Sequence, residues 1–270
     1  MPAELIAAAC GFAIGVLGTL IGVGGGFLLV PALLLVEPRW SSAVVTAFSL
    51  AVVAANALSG AASYWRAGRI DLRSLPLFAL AALPGAALGV FLAHLIPRRV
   101  FDPLFGVVMI AIAAWLFLSR AEIARGMLLQ RPSAQVYRDF TDRRGERYVW
   151  SFDQRLGIAG SAVIGCFSSI FGIGGGTVHV PFLVAVLGFP EHVATATSHA
   201  VLAVTATAAT LIHAARGAYA ADGMLVLSMS LGAVLGAPVG ARLSRRVPGR
   251  VLMRILAVGL ALVGIRLVVS

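Results

Sequence analysis

The sequence predicts an all-α polytopic membrane protein built from two internal repeats, and three observations carry that prediction. Of the 270 residues, 60% are hydrophobic and only 12% are charged, and the mean hydropathy is +0.96. A soluble domain is roughly half apolar and one quarter charged. The apolar residues gather at about 3–36, 41–65, 74–96, 101–119, 156–188, 193–215, 223–243 and 249–269. Most of these stretches are near the ~20 residues that cross a bilayer. Finally, the chain repeats itself: GVGGGFLLVP at 22–31 returns as GIGGGTVHVP at 172–181.

The match extends beyond the glycines. Thr46 pairs with Thr195, Ser49 with Ser198, Asn56 with Thr205 and Gly68 with Gly217, each at an offset of 149. GAALG at 85–89 matches GAVLG at 232–236, and Arg98-Arg99 matches Arg245-Arg246, at an offset of 147. The chain therefore divides into a repeat at 1–119, an Arg-rich connection at 120–154 and a second repeat at 155–270. A hairpin turn between Asp142 and Gly145 fits the turn signal there. A solvated linker is the preferred expectation for so polar a connection.

Net charge is +10, and all 21 basic residues are arginines, most of them clustered in the connections between the apolar stretches. In that position they set membrane orientation, so nucleic acid is not an expected partner. Cys10 and Cys166 sit within apolar stretches, as small packing thiols do. The scattered histidines carry no metal-ligand spacing, and no cofactor is expected.

Stretches 3–36 and 156–188 exceed one simple span, and each is interrupted by GxGGG. Glycine in a helix interior costs about 0.8–1 kcal/mol relative to alanine, so each stretch should break there. The piece after the break, opening at residue 27 or 177, begins with unpaired N–H groups and a partial positive charge. Irregular backbone at membrane depth survives where protein or a water-lined cavity surrounds it. Two such ends facing each other would cradle an anion between Gly24, Gly25, Gly26 and Phe27 on one side and Gly174, Gly175, Gly176 and Thr177 on the other. Neither cluster carries the GK[ST] of a nucleotide loop. Gly85/Gly89 and Gly232/Gly236/Gly240 read instead as packing glycines.

On the helix after each break, Thr46, Ser49 and Asn56 share one face, as do Thr195, Ser198, His199, Thr205 and His213. Buried hydroxyls need partners, so the stripes should face the bundle interior. His199 and His179 are candidate site residues, while His213, beside Arg216, fits an interfacial role. Glu37, Asp71, Asp102, Glu191 and Asp222 all stand at segment ends, which favours an anion site over a cation site. Were protons coupled to transport, a histidine or the substrate would carry them.

The repeated GxGGG, the apolar run and proline after it, the two-repeat arrangement and the polar middle connection resemble the TauE/SafE sulfite exporter family of bacterial inner-membrane permeases. That resemblance covers essentially the whole chain. It implies transport of sulfite, organosulfonates or related small anions, a lipid bilayer as surroundings, and no enzymatic activity. A homo-oligomer is compatible with it. An intramembrane enzyme using His179 and His199, and a non-transporting assembly subunit, are the alternative classes. Eight spans would divide the arginines 13 to 8 between the two sides. A chain reversal at each glycine break gives ten passes and leaves only Arg39, Arg98, Arg99, Arg216 and Arg266 on one side, against 16 on the other. The positive-inside rule prefers this second arrangement, in which the repeats are inverted and 120–154 is cytoplasmic.

Overall fold

The computed structural model describes residues 2–37, 39–118, 135–220, 222–244 and 246–269. The first half forms α1 (Pro2–Ile21), α2 (Gly26–Val36), α3 (Ser42–Ala67), α4 (Leu75–Ala93) and α5 (Arg98–Leu118). The second forms α6 (Gln154–Phe171), α7 (Gly176–Ala185), α8 (Glu191–Ala215), α9 (Gly223–Leu243) and α10 (Gly249–Val269). Between them lies an antiparallel hairpin of β1 (Gln135–Thr141) and β2 (Arg147–Asp153). The expected linker is thus corrected over 135–153. Three buried aromatics at alternate positions of β2, Tyr148, Trp150 and Phe152, give it one apolar face to dock. The rest of the expected connection, 120–134, lies outside the described residues.

Local chemistry sets the helix ends. Ser41 caps α3, its side chain accepting from the Val44 N–H at 3.3 Å, and Asp153 caps α6 through the N–H groups of Arg155 and Leu156. Among the described residues, α1, α3, α4, α6, α8 and α9 are long and apolar enough to cross a membrane. The outer surface fits that role, since Leu5, Leu58, Leu88, Leu211, Leu235 and Leu262 are all exposed. In lipid such faces cost nothing, while every backbone polar group must be paired internally.

The two halves interlock. α1 packs on α9 and α4 packs on α6, so the first long helix of each half rests on the fourth helix of the other. Small residues permit this close approach. A methyl group on Gly232, Gly236 or Gly240 would overlap the carbonyls of Ala8, Phe12 and Val16, and one on Gly85 or Gly89 those of Ala162 and Cys166.

At the centre α3 and α8 run antiparallel. The Asp71 N–H, just beyond α3, donates to Thr197 Oγ1 near the start of α8 at 3.0 Å, and Tyr219 Oη, just beyond α8, donates to the Ala47 carbonyl near the start of α3 at 2.9 Å. α7 turns back along α6, because Ser161 meets His179, Gly160 meets Phe182 and Gly157 meets Leu187. The glycine break therefore reverses the chain in the second half. In the first half α2 returns to the end where α3 begins, and there the Arg98 guanidinium donates to the carbonyls of Leu34, Glu37 and Trp40.

Candidate functional site

Each short helix opens at a glycine with left-handed backbone. Gly25 has φ 85° and Gly175 φ 76°, values that an L side chain resists, and neither N-terminus has a side-chain cap. Pro31 and Pro181 lie inside α2 and α7, where each lacks the N–H that would bond the carbonyl four residues earlier. Both glycine loops rest on the same two side chains, Val53 of α3 and Leu202 of α8, close to the midpoints of those helices. The breaks thus meet deep within the bundle.

There they touch. A Cβ on Gly26 would stand 2.8 Å from the Gly172 carbonyl oxygen, and one on Gly176 would stand 2.6 Å from Val23 Cα. Backbone against backbone leaves no room for an ion between the two helix ends, which corrects the expected cradle. The expected free N–H at residue 176 is also spent, donating to the Gly174 carbonyl at 2.9 Å.

Around the first break the polar groups satisfy one another. Thr19 Oγ1 donates to Asn56 Oδ1 at 2.8 Å, Asn56 Nδ2 donates to the Gly24 carbonyl at 3.1 Å, and Tyr64 Oη donates to the Thr19 carbonyl at 2.6 Å. His199 Nε2 stands 3.4 Å from Thr19 Oγ1. Because the Thr19 hydroxyl hydrogen goes to Asn56, Nε2 carries the His199 proton in this pair. Ser49 Oγ donates to the Gly172 carbonyl at 2.7 Å, and Thr46 Oγ1 to its own helix at the Ser42 carbonyl at 2.9 Å. Among the described residues, Gly24, Gly25, Gly26, Phe27, Thr46, Ser49, Asn56 and His199 are held in packing contacts or bonds of this kind, away from the cavity beside the second break.

That cavity measures about 10 Å³ and lies between α4, α6, α8 and the Gly174–Gly176 loop. It is the room of about one water. His179, Ser198 and Thr205 line it, joined by Ser161 and Ser168 of α6. The hydroxyls differ in what they can still do. Ser161 Oγ donates to the Gly157 carbonyl at 2.7 Å, Ser168 Oγ to Gly165 at 3.1 Å and Thr205 Oγ1 to Val201 at 3.2 Å. His179 Nε2 lies 3.1 Å from Ser161 Oγ and, with that hydroxyl hydrogen already used, is the donor. Only Ser198 Oγ, among these lining groups, is buried with its hydrogen bonded to nothing. The first turn of α7 borders the same space and adds the positive end of its dipole.

Several expected site residues stand elsewhere. Thr177 and Thr195 are buried with unpartnered hydroxyls, Thr195 packing against Gly22, and neither lines the cavity. His213 lies in the last turn of α8 beside Arg216, where it is buried with its ring stacked on His94 at 5.5 Å, and it does not line the cavity. Ser161 and Ser168 were not among the expected residues. Their signal was present, since they sit seven apart on one helix face. Among the described residues no three His, Cys, Asp or Glu side chains gather as a metal site.

Comparison with known proteins agrees with a membrane transporter. A protein of Bacillus subtilis (strain 168) described as "Probable membrane transporter protein YunE" is 30% identical over 213 residues, covering 77% of each chain. Another from that organism, "Probable membrane transporter protein YjnA", is 28% identical over 236 residues, covering 83% of this chain and 84% of its own. A "Probable membrane transporter protein" of Haemophilus influenzae is 26% identical over 175 residues, covering 64% of this chain and 58% of its own. No solved structure matches. Residues 7–267 match the family described as "Sulfite exporter TauE/SafE", and with nearly the whole chain matched, this multi-pass membrane protein belongs to that family.

Proposed function

We propose that the chain is a secondary transporter of small anions, of the sulfite or organosulfonate class, working by alternating access in a bacterial inner membrane. The observation that carries this reading is the Ser198 hydroxyl, buried and unpartnered beside the α7 N-terminus in a cavity with no charged side chain in its lining. A hydroxyl donor and a helix N-terminus together favour an anion, and their neutrality lets it leave again. The family's description as sulfite exporters supports the substrate class.

The room of one water is too small for a sulfonate, so binding requires the walls of the cavity to part. Inverted repeats offer a way to do so. In this reading α3 and α8 are equivalent helices related by the offset of 149, and their antiparallel packing is what inversion requires. The hairpin end, rich in arginine, is then cytoplasmic. Flux of a small sulfonate into proteoliposomes tests the proposal, and its absence for every small anion tried would contradict it.

A further inference from the structure

The β hairpin has no part in the anion site, yet its docking chemistry is that of a cover. An isolated two-stranded hairpin is marginal in water, so this one depends on what it packs against. It sits at the end of the bundle where α3 finishes and α8 begins. The Arg143 N–H donates to the Ala67 carbonyl at 3.3 Å, Arg69 pairs with Asp142 at 3.4 Å and Arg138 pairs with Asp71 at 3.2 Å. Its aromatic face meets Phe189, with ring centroids 5.0 Å from Trp150 and 4.9 Å from Phe152.

One aromatic layer separates this face from the cavity. The Phe78 ring lies 6.1 Å from Phe152 on one side and 6.0 Å from His179, a cavity residue, on the other. Asp71, which holds Arg138, bonds through its N–H to Thr197, the neighbour of Ser198. The seam also leaves polar groups unpaired, because Trp150 Nε1 and Arg69 Nη1 are buried without an acceptor. Undocking would return both to water. That lowers the cost of opening relative to a fully satisfied interface.

We infer that the hairpin is a lid over the cytoplasmic route to the Ser198 cavity, latched by Arg69–Asp142 and Arg138–Asp71. This rests on the proposed anion site only for its destination, and access can be measured without any substrate. The reporter is Ser198→Cys in full-length protein with Cys10 and Cys166 replaced by alanine, challenged in vesicles of each orientation with an anionic, membrane-impermeant methanethiosulfonate. Two alterations move the lid in opposite directions. Asp142→Asn keeps an acceptor for the Arg144 and Glu146 N–H groups but removes the charge that pairs with Arg69. Gly68→Cys with Arg143→Cys staples it shut, since a Cβ on Gly68 would stand 3.8 Å from Arg143 Cβ, within the about 3.5–4.5 Å of a disulfide.

From the hairpin side, Asp142→Asn should speed modification at least about tenfold, as expected when one partner of a buried ion pair is lost. The oxidised staple should slow it by a similar factor, and reducing the same polypeptide should restore it, which controls for misfolding. Modification from the opposite side should not change. A reporter thiol that reacts at one rate, or not at all, whether the staple is open or closed would overturn the lid. If the staple governs access but protein with Ser198 in place carries no small anion into proteoliposomes, the lid stands and the anion reading fails.

Discussion

Ser49 and Ser198 occupy positions related by the same 149-residue offset, yet Ser49 Oγ donates to the Gly172 carbonyl at 2.7 Å while Ser198 Oγ faces the cavity without a partner. One serine is structural and the other is free to bind. Ser198→Ala should therefore weaken sulfonate binding roughly 10- to 100-fold, the worth of about 1.5–3 kcal/mol for a hydrogen bond to a charged partner. Ser49→Ala should leave affinity near that of the parent and lower thermal stability, by about 1–3 kcal/mol for a buried carbonyl left unpaired. Titration calorimetry and thermal melting of both variants check this, and equal losses of affinity would contradict the assignment.

The two helix-opening glycines should also part company. A side chain at either position meets left-handed backbone strain of about 1–2 kcal/mol. A Cβ on Gly175 would touch only Ser168, at 3.2 Å from Oγ, at the cavity wall, whereas one on Gly25 would stand 2.5 Å from Ile14 Cγ2 and 3.0 Å from the Ile14 carbonyl. Gly175→Ala should cut flux severely while yield persists. Gly25→Ala should add an overpacking cost of about 1–3 kcal/mol, seen as lost yield and a lower melting temperature.

Much of this arrangement could be read from the residues. Glycine triplets in apolar stretches fixed the breaks because no continuous helix tolerates them cheaply, and the small-residue stripes on α4 and α9 marked close packing. The asymmetry between the breaks was harder to see. Asn56 and Thr205 share an offset, but only an amide can reach both Thr19 and Gly24, while Thr205 bonds back to its own helix. Which half forms the cavity then depends on contacts between helices more than 100 residues apart. The hairpin was legible in β2, where aromatic residues alternate at 148, 150 and 152, and was outweighed by the arginines around them.

Orientation gives a further prediction. α1 runs alongside α9, and Tyr64 near the end of α3 bonds to both Thr19 of α1 and Ser244 just past α9. Both termini should lie on the side opposite the hairpin. Reporter fusions at the termini should read periplasm, and an insertion at Gly145 should read cytoplasm. Termini and hairpin on one side would contradict the inverted arrangement.

Lid docking should depend on acid in one direction only. Burial pushes the Asp142 carboxyl up, but the N–H groups of Arg144 and Glu146 and the Arg69 guanidinium outweigh it, holding the group below its ordinary 3.8. A group lowered in the docked state stabilises docking above that ordinary value and loses the contribution as pH falls through the lowered one. Amide protection of β2, corrected for intrinsic exchange, should be lower below about pH 4 than at neutral pH, and the Asp142→Asn variant should lack the part of that decline due to Asp142. Protection that falls as pH rises would contradict it.

Passage of a small anion through the Ser198 cavity is tested by initial-rate uptake of a radiolabelled small sulfonate into proteoliposomes, parent beside Ser198→Ala. Uptake by the parent should be saturable, inhibited by sulfite and not by sodium or potassium, with the apparent KM raised about tenfold or more in the variant. A cation carried in preference to every small anion, or a variant whose KM equals that of the parent, would show that the chemistry lies elsewhere in the bundle.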